Sequence, residues 1–178
     1  MNIKKYSKAI ILIVSILISI LVFIFRDRFE GLQGYGLVGL FLLSIIGNAT
    51  IILPVPVILS AFVAGAVFNP LAVALVVSLG ATIGELTGYF AGYGSEGIIE
   101  KDLKLQRVKR WIDKYGLWVL FVLAAIPNPL FDLAGIVAGA NKIPVKKYLV
   151  VVFFGKLVKF LAVSYFGSRS VTLIDRFI

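Results

Sequence analysis

The apolar positions of this chain form long runs that break at a few recurring places. Residues 9–25 make one unbroken run behind Lys4, Lys5 and Lys8, and "FRDRFEG" after it offers no small-x-small cleavage site. This run predicts an uncleaved N-terminal span. Residues 71–93 and 145–167 are apolar over 23 residues each, enough at ~1.5 Å per residue to cross ~30 Å of hydrocarbon. The other pieces are short: 57–68, 117–126 and 130–140 have 12, 10 and 11 residues, and none can cross alone. They flank Pro54 and Pro56 in one place and Pro127 and Pro129 in the other. Proline removes a backbone donor and ends a helix, so these are hairpin breaks. Only 95–116 is charged throughout, with Ile99, Leu103, Val108, Trp111 and Ile112 helically spaced among Lys and Arg. That stretch predicts an amphipathic helix on the inner membrane surface.

The breaks recur in order. Pro54 and Pro56 are followed by Gly65-Ala66, Pro70, Gly80 and Gly92; Pro127 and Pro129 are followed by Gly139-Ala140, Pro144, Gly155 and Gly167. The intervals agree within one residue, which reads as an internal duplication. Two topologies fit: 117–140 is either one kinked span or a hairpin that returns to its own side. Charge chooses between them. With the N-terminus inside and both broken stretches re-entrant, twelve Lys and Arg lie inside, at 4–8, 101–114 and 142–147. Four lie outside: Arg26, Arg28, Arg169 and Arg176. The kinked span would move Lys142, Lys146 and Lys147 outside, against the positive-inside rule.

The fold expected is therefore an all-α integral membrane protein with an inverted-topology repeat of re-entrant hairpin plus long transmembrane helix, preceded by an N-terminal span. Its parts are 1–34 (first span and loop), 35–94 (repeat one), 95–116 (linker), 117–168 (repeat two) and 169–178 (C-terminal tail).

Composition narrows the chemistry. The chain has 178 residues, 60% of them hydrophobic, with no Cys and no His. Thiol nucleophiles, disulfides, Ser-His-Asp triads, His-ligated metals and haem are excluded. The expectation is a protein that is not an enzyme and carries no cofactor or metal. The net charge of +9 gathers at segment ends, which points to lipid headgroups rather than nucleic acid. Expected partners are membrane lipids, anionic or polyprenyl-phosphate lipids among them, with a homo-oligomer left open.

Few polar groups lie inside the spans: Glu85, Asp132, Lys156 and Lys159, with Asn48, Thr82, Thr87, Asn128 and Ser164. Glu85 stands ~12 Å and Lys156 ~16 Å from the inner ends of their helices, so these two can pair. Asp132 is expected beside a polar cavity near the midplane, with Lys159 as its first-choice partner. Ionisable groups in a membrane mark substrate or ion paths more often than not, which makes Glu85, Asp132, Lys156, Lys159 and Asn128 the candidate pathway. The competing reading is that the pairs only lock helices together. Gly80, Gly84, Gly88 and Gly92, at strict four-residue spacing, read as a face for close helix packing.

The segments "GATIGELTGYFAGYG" and "IPNPLFDLAGIVAGANKIP…FFGKLVKFLAVSYFG" resemble the DedA/VTT family (SNARE-associated Golgi protein homologues) over about residues 35–168. The resemblance implies paired re-entrant hairpins. It also implies a role in lipid movement: polyprenyl-phosphate carrier recycling in prokaryotes, phospholipid scrambling in eukaryotes, or membrane-potential and pH homeostasis. Asn48 stands where many bacterial members carry an acid, and "AAIPNPLFD" has no arginine, so proton coupling through those groups is not implied. The leading expectation is a lipid transporter or scramblase in the plasma membrane of a prokaryote, N-terminus cytoplasmic. A proton- or ion-coupled small-solute transporter and a non-transporting scaffold stay open beside it.

Overall fold

The computed structural model describes residues 36–49, 57–93, 99, 102–128 and 130–174. The first span, Pro54, Pro56, Pro129 and part of the 95–116 linker lie outside them. Eight α-helices are described: α1 Gly36–Ala49, α2 Val57–Val67, α3 Pro70–Gly84, α4 Leu86–Tyr93, α5 Leu103–Tyr115, α6 Leu117–Ala125, α7 Leu130–Ala140 and α8 Val145–Ile174. There is no strand among the described residues. Two helical stretches, Pro70–Tyr93 and Val145–Ser170, are long and apolar enough to cross a membrane. α8 runs past the expected tail boundary to Ile174.

Local chemistry fixes the helix ends. Pro70 stands in the first turn of α3, where its missing N–H is harmless, and Asn69 Oδ1 accepts from Leu71 N and Ala72 N at 2.9 and 3.2 Å. Ile126, just before Pro127, is extended at φ −103° and ψ 136° and ends α6. α7 ends with Lys142 N donating to Gly139 O and Ile143 N to Ala138 O. This closure puts Lys142 in the left-handed region, φ 53°, a site that glycine fills more easily.

The two halves pack by exchange. α1 lies on α3 and α6 on α8, each within its own half; α2 instead packs on α8, and α7 on α4. Glycines make the exchanged contacts, and they do so in matched pairs. A Cβ at Gly65 would meet the Ser164 backbone, and one at Gly139 the Tyr89 backbone. Likewise Gly92 faces Ile136 and Gly167 faces Phe62, backbone to helix. Gly80 and Gly155, again equivalent in the duplication, face Phe41 of α1 and Phe121 of α6. These are the landmarks of the sequence repeat, reused as contact points.

Two expectations change here. The glycine row is not one face: Gly80 and Gly84 receive α1, Gly92 receives α7, and Gly88 has only Asp132 O, 3.9 Å from an added Cβ. Four-residue steps advance about 40° each around a helix of 3.6 residues per turn, so the row winds from one partner to the next. The amphipathic helix also differs. Leu105, Val108 and Ile112 of α5 are buried in a cluster with α6 and α7 residues, so its apolar face lies on protein.

Alanine at Gly92 or Gly139 should therefore force backbones apart, at roughly 1–3 kcal/mol or more, while Gly88→Ala should be tolerated. Thermal unfolding in detergent, followed by size-exclusion recovery, checks the contrast. In the same assay Lys142→Gly should raise the unfolding temperature by a few degrees, because it removes left-handed strain.

Candidate functional site

Glu85 and Lys156 meet in the centre of the structure. Lys156 Nζ lies 2.7 Å from Glu85 Oε1, with side-chain exposures of 1% and 5%. It also donates to Asn48 Oδ1 at 2.7 Å and stands 5.0 Å from the Phe131 ring centroid. α1, α7, α8 and the α3–α4 junction thus converge on one ammonium. Its charge is answered by a carboxylate, an amide oxygen and an aromatic face, which is what burial of a lysine demands.

Sequence explains each approach. Gly84 has no side chain to hold α1 away: an added Cβ would stand 2.9 Å from Asn48 Cβ. Asn48 Nδ2 donates back to Ser44 O at 2.8 Å, which turns its oxygen toward Lys156. Thr87 Oγ1 lies 2.8 Å from Ala49 O and 2.9 Å from Gly84 O, tying the end of α1 to the junction. Glu85 itself falls in the one-residue interruption between α3 and α4, although its N–H still bonds Ala81 O at 3.1 Å.

The pair also divides the core. On one side lie Val73, Val77, Ala81 and Phe160; on the other, Tyr89, Phe131, Ala134, Tyr148 and Val152. Within the second cluster the Tyr148 hydroxyl is buried without a hydrogen-bond partner among the described residues. A Cβ at Gly135 would lie 3.1 Å from that hydroxyl and 3.9 Å from Glu85 Oε2. Both oxygens therefore lie close to the space that the missing side chain of Gly135 leaves open.

The remaining candidates are placed differently. Asp132 is exposed in the first turn of α7, with no hydrogen bond or ion pair among the described residues. Lys159 lies within electrostatic range of it, but its Nζ sits 5.1 Å from the Phe160 ring centroid. The expected Asp132–Lys159 pair does not form, because Phe131 is the residue that α7 turns toward Lys156. Asn128 is spent on the turn between α6 and α7: Nδ2 donates to Leu123 O and Ile126 O, both at 2.8 Å, and Oδ1 accepts from Leu130 N at 2.9 Å. Its role is to cap α7. A hollow of about 410 Å³ lies at the α5–α6 end, between Ile112, Gly116, Asn141 and Lys147.

Asn48 could be singled out from sequence as an amide in an apolar run, but not its partner. Phe131, Gly135 and Tyr148 carry no sequence signal that separates them from ordinary packing residues. The assembled cluster pairs one carboxylate with one ammonium, so its charges cancel. What it can do chemically is hold two halves together, or release a cation and an anion when they part.

Removing one partner leaves the other charged and buried, so Glu85→Ala or Lys156→Met should each cost about 3–5 kcal/mol of stability. Glu85→Gln combined with Lys156→Met should recover much of that loss. Asn48→Ala should cost about 1–3 kcal/mol, the range for an unmet buried donor. Unfolding midpoints of the parent, Glu85→Gln, Lys156→Met and their combination in one detergent close the double-mutant cycle, with Glu85→Ala and Asn48→Ala measured beside it.

Comparison with known proteins places this arrangement. The family model of the VTT domain matches residues 52–169. Among curated proteins, the chain is similar to vacuole membrane protein KMS1 of Arabidopsis thaliana, 33% identical over 48% of this chain and 26% of that protein. It is 28% identical to KMS2 of the same plant, over 48% and 25%. It is 38% identical to the vacuole membrane protein 1 homolog of Dictyostelium discoideum, over 35% and 15%. The chain thus spans about a quarter or less of the length of these relatives, and no solved structure matches it. The expected prokaryotic plasma membrane is overturned by these relatives, which come from eukaryotes and are named for the vacuole membrane. With the family model covering well over half of its length, the chain belongs to the VTT-domain family, the DedA and SNARE-associated Golgi protein group.

Proposed function

We propose that this protein moves lipid between the leaflets of an intracellular membrane, as a transporter or scramblase built on opposed re-entrant hairpins. The observation that carries the reading is the exchange of short helices around a buried ion pair. α2, α6 and α7 have 11, 9 and 11 residues, roughly half the length that ~30 Å of hydrocarbon requires. Each hairpin would enter from its own face of the membrane and pack its second leg on the other half's long helix. Non-helical backbone at that depth survives only against protein or water, so the two breaks would meet near the midplane.

In this reading Glu85–Lys156 is the closed lock between the halves. A headgroup phosphate entering from one face would compete with Glu85 for Lys156, and Lys159 and Asp132 would border its route. Parting the halves exposes charge, which draws in headgroups and water that lipid tails cannot supply. The vacuole-membrane names of the relatives support an intracellular location, and the family resemblance supports lipid as the cargo.

Purified protein in liposomes should accelerate equilibration of a fluorescent phospholipid between leaflets, scored by dithionite reduction. The rate should not depend on an imposed pH gradient. Rates no greater than those of empty liposomes across several headgroups would defeat the proposal. Lys156→Met with Glu85→Gln, which should stay folded, is expected to lower the rate tenfold or more; an unchanged rate would leave the pair as a packing lock alone.

A further inference from the structure

The chain has two tryptophans, and both stand at one elbow. α5 ends at Tyr115, and Gly116, at φ 65°, turns the chain into α6. Trp111, Tyr115, Trp118, Val119, Val122 and Leu123 line a groove of about 380 Å³ across that turn. Trp118 is 72% exposed and Tyr115 55%, so no described residue covers it. α5 is polar and α6 wholly apolar, which sets the elbow at the level where headgroups give way to acyl chains, the usual depth of tryptophan.

The face beside the groove is basic. Lys104, Arg107 and Lys114 stand seven and four residues before Trp111 and three after it, on the same side of α5. All three are exposed. The acids of this helix and its cap are engaged elsewhere: Asp113 pairs with Lys109 at 2.6 Å, and Asp102 Oδ1 accepts from Lys104 N and Leu105 N. Lys114 Nζ lies 4.9 Å over the Tyr115 ring, which sets an ammonium at the groove's rim. The opposite face of α5 is buried on protein, so this face is the one left for a ligand.

We propose that the α5–α6 elbow binds an anionic phospholipid, with an acyl chain along Trp111, Trp118 and Val122 and the phosphate on Arg107 and Lys114. The site is distinct from Glu85–Lys156 and does not depend on whether the protein moves lipid. A zwitterionic lipid can fill the same groove, but its own ammonium is repelled by the basic stripe.

Bromine on an acyl chain quenches indole fluorescence on contact, and both indoles report from this groove. The full chain is reconstituted in phosphatidylcholine vesicles carrying equal fractions of either dibrominated phosphatidylglycerol or dibrominated phosphatidylcholine. The anionic bromolipid should show an association about fivefold stronger. That preference should fall close to parity in Arg107→Gln/Lys114→Gln, and shrink at high salt. Equal quenching by the two bromolipids in the unaltered protein overturns the proposal. So does a preference that survives loss of both cations.

Discussion

A lysine ammonium held 2.7 Å from a carboxylate, with both side chains almost wholly buried, is the constraint around which the rest of this structure is arranged. Taking two charges out of water costs several kcal/mol per ion unless geometry and further hydrogen bonds answer it. Every neighbouring feature supplies part of that answer. Asn48 adds an oxygen, Phe131 an aromatic face, and Gly84 the close approach that lets α1 deliver Asn48. The interruption of the helix at Glu85 falls at the same point. An apolar cluster closes over each side.

The same pair sits where the two halves of the chain depend on each other. Each half packs its short second helix mainly on the other half: α2 goes to α8 and α7 to α4. A half alone would present unpaired helix ends to whatever surrounds it, and hydrocarbon cannot satisfy them. Exchange solves this, provided the helices approach closely enough. Gly65 and Gly139, then Gly92 and Gly167, make that approach in matched pairs. Small residues serve this purpose in membranes because packing, rather than the hydrophobic effect, holds helices together there.

Function follows from the coupling of these two features. A neutral, fully answered ion pair is quiet while the halves stay together, and under the proposed function it would become a pair of exposed charges when they part. In the proposed lipid-moving function, such a device would favour polar or anionic material over lipid tails. α5 contributes at a different level. By burying its apolar face on the protein, it leaves a basic, tryptophan-bearing face exposed.

The sequence by itself determined the elements and one contact between the halves, Glu85 with Lys156. Apolar run length, Pro70 and Pro127 set helix ends that the structure reproduces, and the repeated Gly positions turned out to be the contacts that the halves share. Counting residues along two helices was enough to bring Glu85 to Lys156, because depth in a span is a one-dimensional quantity. Direction around a helix is not. Which way α7 turns decided that Phe131, and not Asp132, faces the lysine. The 40° advance of each four-residue step divided the glycine row between two partners. Asn128 is polar in sequence, yet its amide is consumed by the very break it adjoins. α5 shows the same limit: its sequence declares an apolar face, but only tertiary packing decides whether that face meets lipid or protein, since both remove it from water equally well.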